Sequence, residues 1–87
     1  MEIIVKKPTQ EEKEFFNMQP TWGCEVSTFD WFYDAEESCI LLEGEVTVTY
    51  GANQSVTFGA GDHVTFPKGL QCVWHVKKAV KKHYVFR

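Results

Sequence analysis

The chain has 87 residues, a net charge of -3 and a pI near 5.5, and is 44% hydrophobic and 15% aromatic. These values describe one domain, residues 1–87, with a single modest core filled largely by aromatic rings, and they exclude a disordered chain. The acidic balance argues against a nucleic-acid partner, and the lack of any long apolar run argues against a membrane.

Three cysteines cannot form a complete disulfide framework within one chain, and no CxxC or zinc-finger spacing is present. Reduced thiols and a cytoplasmic location are therefore expected. Met1 to Lys7 carries no secretory apolar run; an organelle would follow only if a transit peptide had been removed.

Glu2 to Lys6 reads as a short strand. Pro8-Thr9 then opens the one expected helix, with Thr9 and Glu12 in a capping-box pattern and an end near Asn17, before Pro20. From Cys24 the apolar period becomes two: Ser27, Phe29, Trp31 and Tyr33 share one face. Ser38 to Leu42 is apolar on both faces, as in a strand buried on both sides. Gly44 permits a bulge that resets the parity before Val46, Val48 and Tyr50. Gly51 to Gln54 predicts a hairpin connection, Val56 and Phe58 the next strand, and Gly59 to Asp62 a turn. Val64 and Phe66 alternate up to the Pro67-Lys68-Gly69 turn. Leu70, Cys72, Trp74 and Val76 alternate after it, and His83 to Phe86 closes the chain. Lys77, Lys78, Lys81 and Lys82 read as a solvated loop and charged edge strand. About eight short strands between Gly, Pro and Asn turns predict an all-β sandwich or barrel.

Two spacings are more specific. Glu37 is followed by six residues and Gly44; Gly61 is followed by five residues, Pro67, one residue and Gly69. Together they resemble the two motifs of the cupin family, small β-barrels that usually hold a metal in the barrel mouth. Phe29 to Asp34, Phe66 to Leu70 and Cys72 to Trp74 resemble the small single-domain cupins grouped with the cupin domain of ureidoglycine aminohydrolase. The resemblance implies an RmlC-like, cupin-type jelly-roll β-barrel with a short N-terminal helix.

It also implies where a metal would sit. Metal-binding cupins direct two His, a Glu and a later His into the barrel; the matching positions here are Trp31, Tyr33, Glu37 and Cys72. Only Glu37 is a standard ligand for Mn, Fe or Ni. No metal and no cofactor are therefore expected. The manganese chemistry of the larger, two-cupin aminohydrolase does not carry over to this ligand set.

The expected function is small-molecule binding in an aromatic pocket formed by Trp31, Tyr33, Glu37, Phe66, Cys72 and Trp74. Such a cup suits a flat ligand with a hydrogen-bond donor or positive charge. Glu37 has three readings: orientation of its neighbours, acid/base catalysis, or metal ligation. Cys72 reads as a small buried hydrophobe, or as a nucleophile if Lys68 or His83 approaches; Cys24 and Cys39 read as packing residues. The alternatives are an enzyme related to ureidoglycine aminohydrolase, metal-assisted or using Glu37, and a structural or regulatory dimer with a filled barrel. A homodimer is expected in any case, because Ile40 and Leu42 face outward from a barrel with no second layer.

Overall fold

A computed structural model describes all residues, Met1–Arg87. Seven strands and one helix follow in the order β1 (Ile4–Lys6), α1 (Gln10–Phe16), β2 (Thr21–Cys24), β3 (Ser27–Phe32), β4 (Glu37–Tyr50), β5 (Gln54–Gly59), β6 (His63–Phe66) and β7 (Gln71–Phe86). All pairings are antiparallel. The sheet runs β1-β6-β4-β7-β2, with β3 also on β7 and β5 also on β4.

Two long strands organise this all-β jelly roll. β4 and β7 pair from Glu37↔Phe86 to Tyr50↔Cys72. The first part of β4 pairs with β6 and the second with β5; the first part of β7 pairs with β3 and the second with β2. Each long strand thus serves both halves of the barrel.

The change of partner coincides with register shifts between Leu41 and Val46. Gly44, at φ 103°, lies within that stretch, and a Cβ there would stand 2.6 Å from the Ala79 carbonyl oxygen. Only glycine permits this approach. The shift resets parity as expected: Glu37, Cys39 and Leu41 are buried before it, Val46 and Val48 after it. The strand count differs from the expected eight because β4 and β7 each run on through what read as two strands, while the strand expected from Cys24 divides into β2 and β3. For the same reason Lys77 to Lys82 is neither loop nor sheet edge; it continues β7 between β4 and β2.

α1 begins where the sequence places it. The Thr9 hydroxyl accepts from Glu12 N–H at 3.1 Å, and the Glu12 carboxylate accepts from Thr9 N–H at 2.9 Å. Its buried Phe16 meets the His63 ring edge-on, with centroids 5.3 Å apart. Ile40, paired with His63 across β4 and β6, is also buried, beside the helix. The outer face of β4 is therefore partly covered within the chain, contrary to the expectation for Ile40; Leu42 stays exposed.

Candidate ligand pocket

A cavity of about 220 Å³ opens at the end of the barrel where β3, the start of β4 and the last part of β7 converge. Its wall is mostly aromatic. The Phe29 and Trp74 rings stack with centroids 5.9 Å apart, and Trp22 meets Trp74 edge-on at 6.0 Å. Half-exposed Trp31 and Phe86 stand at its edge.

Tyr33 forms the inner wall. It lies just past β3, where its N–H donates to the Leu70 carbonyl at 2.9 Å and its carbonyl accepts from Gly69 N–H at 2.6 Å. The turn that Pro67 and Gly69 build therefore fixes Tyr33. Its ring stacks on Phe66 at 4.7 Å, and its hydroxyl accepts from the Trp74 indole N–H at 3.1 Å. Burial, reinforced by the nearby Glu37 charge, pushes the phenol well above its ordinary pKa, so it stays neutral.

The polar feature of the wall is an ion pair. Lys82 Nζ donates to Glu37 Oε2 at 2.5 Å, and both side chains are almost fully buried. The ammonium also lies 4.7 Å from the Trp74 ring centroid and 4.9 Å from that of Trp22. Both residues line the cavity. Glu37 Oε1 has no hydrogen-bond partner within the chain and is not sealed from solvent. One carboxylate oxygen therefore remains free to accept, beside an ammonium with N–H groups to spare.

Four of the six predicted pocket residues meet here: Trp31, Tyr33, Glu37 and Trp74. Phe66 lies behind Tyr33 in the core, where alternation directs it, but the Tyr33 ring screens it from the cavity. Cys72 is also buried away from the cavity, with Sγ 3.6 Å from the Trp31 carbonyl oxygen. Burial pushes the Cys72 thiol up to about 11 and the Cys39 thiol up to about 12, so both are protonated, unreactive packing groups near neutral pH.

The pocket residues that sequence reasoning missed are Trp22, Phe29, Tyr84, Phe86 and, above all, Lys82. The signal for Lys82 was present. Cys72, Trp74, Val76 and Val80 face inward at even positions, and the same alternation through Lys81 turns Lys82 inward.

The donor set does not fit a metal. Trp31 stands half exposed at the rim, Tyr33 is a neutral phenol bonded to Trp74, Cys72 faces away, and Lys82 already neutralises Glu37. Nowhere do three His, Cys, Asp or Glu side chains converge.

Comparison with known proteins places this architecture. The model of the EutQ-like cupin domain matches residues 11–84. The chain belongs to the EutQ-like cupin family. Among solved structures this cupin is similar to a DUF861 family protein of Thermotoga maritima, at 46% identity and a TM-score of 0.94, covering 99% of this chain and 100% of that one. The EutQ protein of Clostridium difficile is 20% identical, with a TM-score of 0.70, covering 97% of this cupin and 66% of that chain. A putative ethanolamine utilization protein Q of Salmonella typhimurium is 21% identical, with a TM-score of 0.69, over 97% and 68%. These last two likenesses concern the fold alone. No curated protein matches the sequence.

Proposed function

We propose that this cupin binds a small, planar organic molecule in the aromatic pocket, without a metal. The observation that carries the reading is the Glu37–Lys82 pair on the cavity wall, with Glu37 Oε1 unpartnered inside the chain. An aromatic cavity with a few convergent polar groups is the usual form of a small-molecule site.

The pair refines the ligand class expected from Glu37 alone. A cationic ligand would compete with the protein's own ammonium, which already occupies the cation–π position against Trp22 and Trp74. A carboxylate beside an ammonium instead suits a neutral group with a donor next to an acceptor. A lactam, amide or ureide has this form: its N–H meets Glu37, its C=O meets Lys82, and its flat body lies along the rings. The resemblance to ureidoglycine aminohydrolase points the same way, since a ureido group is planar with N–H beside C=O. The cavity of about 220 Å³ suits a small ligand better than a drug-sized one.

The test is protein-observed NMR of the indole N–H resonances with a set of small lactams and primary amides, 2-pyridone among them. Shifts at Trp31 and Trp74, lost in Lys82→Met, are expected. If no member of the set moves either resonance, the pocket reading fails and the barrel is a structural scaffold.

A further inference from the structure

Lys82 combines features that the other lysines lack. Lys6 and Lys7 are exposed at the surface and pair with Glu12 and Asp62. Lys82 is buried at the cavity wall, its ammonium held 2.5 Å from a carboxylate and flanked by the Trp22 and Trp74 rings. A nucleophile and a base within hydrogen-bond reach, facing a cavity shielded by apolar walls, form the arrangement used in covalent catalysis. An amine has one characteristic reaction of this kind: condensation with a carbonyl compound.

We infer that Lys82 is a carbonyl-condensing lysine, forming an imine with a small aldehyde or ketone seated in the aromatic pocket, with Glu37 carrying the protons. The inference rests on the pocket reading above and adds a reactive group to it. The ammonium first gives a proton to Glu37. The freed lone pair attacks the carbonyl carbon, the N–C bond forms, the C=O π bond opens, and the Glu37 proton goes to the oxygen. Glu37 then takes a second proton from nitrogen and gives it to the hydroxyl. The C–O bond breaks, water leaves, and nitrogen's lone pair completes the C=N bond. The net change is ammonium plus carbonyl giving iminium plus water, with Glu37 again a carboxylate and the positive charge retained beside it. No oxidant, reductant or metal enters. The planar iminium keeps the ion pair that the ammonium made, so the product costs the site no unpaired buried charge.

Benzaldehyde is a suitable probe, being flat and small. The whole protein is incubated with benzaldehyde and sodium cyanoborohydride near neutral pH, and the benzyl adducts are located by peptide mass spectrometry. Lys82 is expected to be labelled roughly tenfold faster than any exposed lysine, because the pocket holds the aldehyde at the amine. Glu37→Gln should slow labelling at Lys82 while leaving the surface lysines unchanged. Lys82→Arg keeps the cation and should abolish the fast adduct. Benzamide, which fits the same pocket but forms no imine, should protect Lys82. The inference is overturned by labelling confined to exposed lysines while benzamide still shifts the Trp31 and Trp74 indole resonances. If benzamide also fails to move those resonances, the binding reading falls with it.

Discussion

Cutting the Glu37–Lys82 pair from one side leaves a charge in a wall with nothing to neutralise it. Both side chains are nearly inaccessible, at 3% and 6% exposure, so water reaching Glu37 Oε1 from the cavity replaces only part of what the missing partner supplied. Removing one member of a buried pair typically costs about 3–5 kcal/mol, whereas an exposed pair is worth about 0–1 kcal/mol. Lys82→Met is the cleaner single change, because the Met chain retains packing against Trp22 and Trp74 while the Glu37 charge is stranded. Glu37→Gln strands the ammonium, though the amide oxygen can still accept from it, so its cost should lie at the lower end. A domain of this size has a total stability of roughly 4–13 kcal/mol, so either loss is a large fraction of it. A loss of about 3 kcal/mol corresponds to a fall in Tm of roughly 12–24 °C. Replacing both partners, as Glu37→Leu with Lys82→Met, removes the stranded charge and should recover most of the loss. Urea unfolding followed by tryptophan fluorescence, applied to the wild type, Glu37→Leu, Lys82→Met and their combination, completes one double-mutant cycle. If each single variant loses less than about 1 kcal/mol, the pair behaves as a surface bridge and the description of a buried, functional ion pair is wrong.

His63 predicts a pH dependence. Burial, against the pull of Glu12, lowers its pKa from 6.5, with Lys6 and Arg87 acting in the same direction as burial. The unfolded chain therefore binds the proton first as pH falls, and stability should decrease from about pH 6.5 down through the lowered folded value. Glu12 itself is held down to about 2, chiefly by the Thr9 backbone amide, so its contribution is lost in a separate window, from about pH 4.5 to about 2. Denaturation midpoints across pH should show both windows, and His63→Phe should remove only the upper one. Gly44→Ala is expected to destabilise by at least about 1–3 kcal/mol, from positive φ alone and before its clash with Ala79 is counted; a neutral effect in urea unfolding would refute the constraint. The proposed homodimer draws on exposed Leu42, with Ile40 covered beside α1. Sedimentation at micromolar concentration should show a dimer that Leu42→Lys dissociates, and a monomeric wild type would refute it.

Much of the fold was legible because its constraints are local. Thr9 and Glu12 start the helix, Gly44 resets the parity of β4, and Pro67 with Gly69 builds the turn that holds Tyr33. Partner identity was less legible. Nothing near Ile40 announces that Phe16, from a short polar helix, lies on that side of β4, because the contact spans distant segments. Lys82 was hidden differently. Four lysines in six residues look solvated as a group, yet strand alternation separates them, and one turns inward to the carboxylate of Glu37. A carboxylate that appears unpaired in a sequence motif acquires its counter-charge from the far end of the chain. Trp22 and Phe86 were missed for a related reason: β2 and the end of β7 come together only when the barrel closes.

A crystal structure of the protein soaked with 2-pyridone tests the pocket most directly. The ligand should lie against Trp74 and Trp31, its N–H within hydrogen-bond distance of Glu37 Oε1 and its carbonyl oxygen on Lys82 Nζ. A metal ion bound to Glu37, or a pocket closed by Trp22 and Trp31 with no ligand inside, would contradict it.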